Sequence, residues 1–398
     1  MLAWPVYGLC AFLPLSIAGV AVFKLICLLT GLAVLLTCLA QGKTAAHLRN
    51  APTVIALLML AALTLSLSYT SVPLTEAVSA LTKYGKLLLL PAIAVLIRSR
   101  QQAVVALSIY FLAQSFGIIT SWMLYFGIPL AGISAAPGTI TVAFSSSLDQ
   151  AIMAAGFTAL AWHLRKDIPL RYGDPVALVL ISLTILNVLI VLPGRTGHIC
   201  LLAVLSMLVW WAVPRHYRLL ALLMPILIFV LALQSSPRFN ERYSQVLVEV
   251  DTYQKNGGVA QSSSGDRLNY WKRSIQAIAQ QPLHGHGVGT WQQQYLNLEN
   301  NPALRNTFTV RNPHQEYLFW GVQLGIPGIL LLLAWMLSFM LSTRNFTIDP
   351  QRATLSLLVV FMIACGLNSA LFDGFLGDYF CTLFALMLVL GHRSKMPE

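Results

Sequence analysis

Ser235-Ser-Pro-Arg-Phe-Asn-Glu-Arg-Tyr243 opens the one long stretch of this chain that is too polar to lie in a membrane, and the stretch closes at Asn312-Pro-His314. It carries eight basic residues (Arg238, Arg242, Lys255, Arg267, Lys272, Arg273, Arg305, Arg311) against five acids (Glu241, Glu249, Asp251, Asp266, Glu299), together with His284, His286 and His314. Everything before and after it reads as lipid-spanning helix. The expected organisation is therefore membrane helices over 1–234, a mostly helical insert over 235–314, and membrane helices again over 315–398. Any chemistry is expected in the insert and at the helix ends that face it.

Composition agrees. With 57% hydrophobic and 10% charged residues, the chain is an all-α polytopic membrane protein and not a soluble domain. The formal charge of +11 is scattered among loops and forms no run or stripe. It reads as topogenic charge and anionic-lipid contact, with no nucleic-acid partner. The six cysteines lie in apolar segments without CxxC or Cys/His spacing, so neither a disulfide framework nor a metal cluster is expected.

At ~20 residues per span, twelve apolar segments can be centred near Phe12, Ala33, Met59, Leu90, Ala113, Ala155, Ile181, Ser206, Ile226, Leu332, Phe361 and Phe384. Placing the N-terminus in the cytoplasm puts thirteen of the 25 basic residues in cytoplasmic loops, from Lys43 and Arg49 to Arg393 and Lys395. The insert then lies on the opposite side, where a long loop crosses whatever its charge. Both termini are then expected in the cytoplasm and the insert outside, which is the periplasm if the host is a Gram-negative bacterium. Lys24, Lys83, Lys86 and Arg195 fall near outer helix ends. Singly they read as snorkelling anchors; together they read as a cationic ring beneath the insert.

Within the insert, helical spacing predicts one helix over 237–254 and another over 263–280, joined by the flexible run Lys255-Asn-Gly-Gly-Val-Ala-Gln-Ser-Ser-Ser264. Ser263 and Asp266 fit a capping box, and Leu268, Trp271, Ile275 and Ile278 an apolar stripe. Asn312-Pro-His-Gln-Glu316 predicts a helix start, with Asn312 as cap and His314 in the first turn. A helix N-terminus disfavours imidazolium and favours anions. His314 is thus either a proton acceptor or a residue that only decorates the interface. Arg267, near the start of its helix, opposes the dipole and marks a functional misfit or an ion pair with Asp266. Arg195, in Pro193-Gly-Arg-Thr-Gly197, occupies a break between apolar helices, where it lines a cavity or anchors the interface. His284 and His286 match no zinc pattern, and Glu249 and Asp251 read as a solvated helix face. A basic, metal-poor cavity beside lipid suits lipid diphosphates, whose leaving-group charge arginines can neutralise.

The Gly-Arg-Thr-Gly197 break, the insert with Gln281-Pro-Leu-His-Gly-His-Gly-Val-Gly289, and Asn312-Pro-His-Gln-Glu-Tyr317 resemble the bacterial O-antigen ligase superfamily. That group includes lipopolysaccharide O-antigen ligases, related polymerases and O-linked oligosaccharyltransferases. The resemblance covers the second half well and the first half mainly in hydropathy. It implies an inverting glycosyltransferase of the membrane-embedded C type, with no cofactor and no metal. Such an enzyme moves a glycan from undecaprenyl diphosphate to a sugar hydroxyl of lipid A–core at the periplasmic face. On this chain it implies that Arg195 and Arg267 bind the diphosphate and that His314 is the base or orients the acceptor. Arg311 and Lys86 are further phosphate contacts. His284 departs from the family, which often carries an apolar or aromatic residue there.

A ligase is favoured because one outer insert dominates, whereas polymerases often divide their outer charges between two sizeable loops; here 129–149 is short. Protein-glycosylating members commonly carry extra C-terminal sequence. A transporter of lipid-linked glycans is the alternative from another class, and would need ionisable residues nearer mid-bilayer.

Overall fold

The computed structural model describes residues 2–41, 50–130, 133–135, 141–167, 173–235, 237–255, 262–299 and 307–391. The expected cytoplasmic cations Lys43, Arg49, Arg171, Arg393 and Lys395, as well as Arg305 and most of the linker after Lys255, lie outside them.

Seventeen α-helices are described and no strand. The first nine are α1 (Trp4–Phe12), α2 (Ile17–Ala40), α3 (Ala51–Leu65), α4 (Leu74–Tyr84), α5 (Leu89–Leu96), α6 (Arg100–Tyr125), α7 (Ser147–Leu164), α8 (Gly173–Leu186) and α9 (Arg195–Ala212). There follow α10 (Arg218–Ala221), α11 (Leu223–Ser235), α12 (Pro237–Lys255), α13 (Ser263–Gln280), α14 (Trp291–Leu298), α15 (Glu316–Ser342), α16 (Ile348–Leu367) and α17 (Gly374–Gly391). Nine helical stretches among the described residues are long and apolar enough to cross a membrane, against twelve expected. The other three expected segments are helical but do not meet that test. The helices α1 and α11 have only 9 and 13 residues, and α7 carries Asp149, Gln150 and His163.

The surface chemistry is that of a multi-pass membrane protein. Val22, Leu25, Leu29, Leu32 and Leu36 form an exposed stripe at helical spacing along α2, a face that lipid solvates and water does not. By contrast α17, apolar except for Asp378, Tyr379 and Thr382, is almost wholly buried; it packs against α2, α5, α6, α7 and α16 as the central helix. Trp335, Phe339, Phe361, Phe380 and Phe384 interlock there in edge-on and stacked pairs.

Helix direction sorts the polar residues between the two ends of the bundle. At one end Arg100 pairs with Asp167 at 2.7 Å, and Trp211 meets both His163 and Arg352. At the other end lie Arg195, the start of α15, the turn between α16 and α17, and the insert helices.

The glycine-rich turn is explained by a break in α15. Gly325 has φ +70° and Pro327 follows it, so the helical ladder is interrupted. The turn repairs it: the N–H groups of His286 and Gly287 donate to the carbonyls of Val322 and Gln323 at 2.9 Å each, and Ile326 N–H donates to Pro282 O at 2.7 Å. Backbone freed inside a membrane protein needs such partners. Gly285, at φ +66°, lies so close that a Cβ would come 2.5 Å from backbone atoms of Gln323, Leu324 and Gly325. His286 Nε2 contacts Ala277 O at 2.9 Å, and Tyr69 OH donates to His284 O at 2.8 Å. Both histidines are therefore bound into the turn.

Candidate active site

The insert is organised by α13. Its N-cap is Ser262, whose Oγ accepts from Gly265 N–H at 3.2 Å, one residue earlier than the expected Ser263. Glu249 Oε2 accepts the next free donor, Ser264 N–H, at 3.2 Å, while Asp251 pairs with Lys255 at 2.6 Å. The two acids thus serve separate partners. Burial, with Glu249 beside it, raises the Asp266 carboxyl above the usual range. The buried face of α13 is Tyr270, Ser274 and Ala277, and Ile275, expected on the apolar stripe, is exposed. The stripe is rotated because Ser274 is drawn inward to accept from Trp291 Nε1 at 2.8 Å.

Through α13 three of the expected site residues converge. Arg195 is the first residue of α9, and its Nη1 donates to Ser264 Oγ at 3.4 Å. Its helix end is held in place by Gly197, where a Cβ would sit 2.2 Å from that of Ala151 on α7. Arg267, further along α13, is held below the usual guanidinium value first by burial and then by the charge of Arg195. Both remain cations at neutral pH. Arg267 in turn acts electrostatically on His314. Two adjacent arginines with a histidine beside them favour a dianionic ligand.

His314 is not in the first turn of a helix, as its spacing predicted. The helix α15 begins at Glu316 and its cap is Gln315, whose side chain accepts from Leu318 N–H at 2.5 Å. Asn312 instead turns the chain beforehand: its Oδ1 accepts from His314 N–H at 2.9 Å. Trp271 Nε1 donates to Pro313 O at 3.1 Å. His314 has φ +51°, the one positive φ outside glycine among the described residues. Such a backbone costs ~1–3 kcal/mol and persists where neighbours over-determine it, often at functional sites. Nδ1 of the ring lies 3.1 Å from Asn368 Oδ1. Burial dominates the imidazole and holds it below its ordinary pKa; the Asn368 contact opposes this, and Arg267 reinforces it.

Sequence reasoning missed the partners around this point. Glu316, fully buried, accepts from Trp320 Nε1 at 2.9 Å and from the N–H groups of Leu371 and Phe372 at 2.9 and 3.1 Å. It ties the start of α15 to the turn that carries Asn368 and Asp373. Asp373 caps α17 through Phe375 and Leu376 N–H. The available signal was the polar run Asn368-Ser369 followed by Asp373, which interrupts two apolar segments.

The expected ring of cations does not form as such. Lys24 pairs with Asp378 at 2.7 Å. Lys86 is 1% exposed and donates to the Asp373 carbonyl, so it points into the bundle and away from the arginines. Lys83 lies over the Phe372 ring, 4.2 Å from its centroid. Arg311 and Lys83 line a small open pocket of about 30 Å³ with Glu76, Gln292, Phe319 and Phe372. Among the described residues no group of three or more His, Cys, Asp or Glu converges at metal-binding distances.

Fold and site together define an all-α, multi-pass membrane protein whose insert closes a basic, histidine-bearing site over one end of the bundle. Residues 177–333 match the family model described as O-Antigen ligase, so this part of the chain is similar to that family. The matched region takes in Arg195, Arg267, Arg311 and His314. Members of that family are membrane glycosyltransferase-like enzymes with lipid-linked glycan substrates. Over 124 residues, 30% of this chain, the sequence is 26% identical to a protein of Haemophilus influenzae described as uncharacterized. The aligned part covers 31% of that relative's length.

Proposed function

We propose that this protein is an O-antigen ligase of the bacterial inner membrane. It transfers a glycan from undecaprenyl diphosphate to a sugar hydroxyl of lipid A–core at the periplasmic face, with inversion and without a metal ion. The observation that carries this reading is that α13, which bears Arg267, also receives Arg195 at Ser264 and sets Tyr270 6.4 Å from the ring of the strained His314.

Asn368 Oδ1 can only accept, so Nδ1 of His314 carries the proton and Nε2 keeps its lone pair. Nε2 takes the proton of the acceptor hydroxyl as its oxygen attacks the anomeric carbon. The glycosidic bond forms on the face opposite the departing oxygen, and the anomeric C–O bond to the diphosphate breaks. Arg195 and Arg267 neutralise the charge that grows on the leaving group, a contribution larger in a partly desolvated site than in water. Arg311 and Lys86 stand outside this step, Lys86 by holding the Asp373 carbonyl.

The test is transfer by purified protein in EDTA, comparing wild type with His314→Ala. Transfer to lipid A–core that vanishes in the folded mutant supports the reading. Lengthening of the lipid-linked glycan without transfer to core identifies a polymerase instead. Full activity of the mutant overturns the role of His314.

A further inference from the structure

Outside the Arg195–Arg267 pair, the pocket of Lys83 and Arg311 is the strongest unassigned feature of this end of the bundle. Lys83 comes from α4 and Arg311 from the end of the insert, so two distant parts of the chain deliver like charges to one concavity. Both side chains are exposed, so water screens part of their repulsion, and an anion between them relieves the rest. Among the described residues, no carboxylate lies within ion-pair distance of either. Glu76 also lines the pocket and is exposed, and Asp373, whose charge acts on Lys83, directs Oδ1 at the N–H groups of Phe375 and Leu376.

The pocket is small, open and partly aromatic. Phe319 and Phe372 wall it, 4.7 Å apart and nearly perpendicular, and Gln292 adds an amide. Aromatic walls beside cations suit a sugar bearing an anionic group. Gly289, Gln292 and Arg311 belong to the insert, so the pocket lies between insert and bundle and not on the lipid-facing wall. It also shares a turn with the transfer site. Asn368, at the start of that turn, holds His314, and Phe372, near its end, underlies Lys83.

We propose that Lys83 and Arg311 form a second anion site, which receives a phosphate or carboxylate on the acceptor glycan while Arg195 and Arg267 hold the donor diphosphate. This rests on the donor and acceptor assignment above. The two cationic pairs come from different elements, so each substrate is fixed by its own charge. Positioning of two substrates for one bond requires just such separate anchors.

The experiment measures binding to the full-length protein in neutral-lipid nanodiscs. The probes are lipid A–core, phosphatase-treated lipid A–core and undecaprenyl diphosphate. The proteins are wild type, Lys83→Gln/Arg311→Gln and Arg195→Gln/Arg267→Gln, each checked for an unchanged thermal transition, with Lys83→Arg as the charge-retaining control. Loss of one or two charge-assisted hydrogen bonds weakens binding about 10- to 100-fold or more.

The expected result is that loss for lipid A–core in Lys83→Gln/Arg311→Gln, with undecaprenyl diphosphate binding as in wild type and Lys83→Arg largely restored. If the phosphatase-treated probe is indifferent to the substitutions, the group is a phosphate; if it is equally sensitive, the group is a carboxylate. Unchanged lipid A–core binding, equal weakening of undecaprenyl diphosphate, or no lipid A–core binding by wild type overturns the proposal. The ligase reading fails differently: wild type would bind both lipids and transfer nothing between them.

Discussion

Nδ1 of His314 lies 3.1 Å from Oδ1 of Asn368, a contact between the end of the insert and the turn that joins α16 to α17. It does for the imidazole what a carboxylate does in a triad, fixing ring orientation and tautomer, but without adding a negative charge. Burial, and not this contact, is what holds the imidazole below its ordinary pKa. The turn that supplies Asn368 is itself held by Glu316, two residues beyond His314. Imidazole and support are thus assembled by one local circuit.

Removing that support separates positioning from binding. Asn368→Ala is expected to lower kcat by about 10- to 100-fold, in the range of other orienting hydrogen bonds, with little change in donor KM. Steady-state transfer kinetics with varied donor measure both quantities.

The pH dependence follows from burial, the main cause of the lowered His314 pKa. The neutral ring is the active form, so activity falls only as pH drops through that lowered value. The acidic limb should lie below ~6.5, the ordinary imidazole value. Asn368→Asp adds a negative charge beside the ring, stabilises imidazolium, and moves the limb to higher pH. A limb above the ordinary value in wild type would contradict the assignment.

Arg195 and Arg267 repel one another, and a bound diphosphate relieves this. Undecaprenyl diphosphate should raise the thermal transition of wild type and shift that of Arg267→Gln much less. Each single substitution should reduce transfer by roughly 10²–10³-fold, as for loss of one donor to a developing anion. The double variant should fall short of the product, because both arginines serve the same group.

Glu316 carries the strongest stability prediction. Its carboxylate accepts three N–H donors in a fully buried position, and Glu316→Ala leaves all three unpaired. A loss of about 3–5 kcal/mol is expected, read as a lower thermal transition in detergent. Glu316→Gln keeps acceptor oxygen on the same stem and should lose less.

Gly285 tests the docking of the glycine-rich turn. An alanine there would meet backbone in α15 and a disfavoured positive φ together. Gly285→Ala should reduce folded protein sharply, and proteolysis within 281–290 should become faster. If the variant folds as wild type, the turn does not brace the break in α15.

Much of this molecule was legible in the sequence because its signals are local. Hydropathy marks membrane helices, and helical spacing marked the insert helices at 237–254 and 263–280, against observed bounds of Pro237–Lys255 and Ser263–Gln280. Arg195, Arg267 and His314 stood out because each is a polar misfit where its surroundings are apolar, irregular or opposed in dipole. What the tertiary structure alone decided is which of these meet. Lys83 and Lys86 are three residues apart and equally basic, yet one faces a pocket beside Arg311 and the other is sealed inside the bundle against the Asp373 carbonyl. Asn312 had the chemistry of a helix cap, but its side chain turns the chain at His314 and Gln315 takes the cap. Asn368 and Glu316 acquire their roles from partners 54 and 55 residues away. Local pattern fixes how a segment folds by itself; which buried groups find partners depends on packing between segments, where an unsatisfied charge or N–H is too costly to leave.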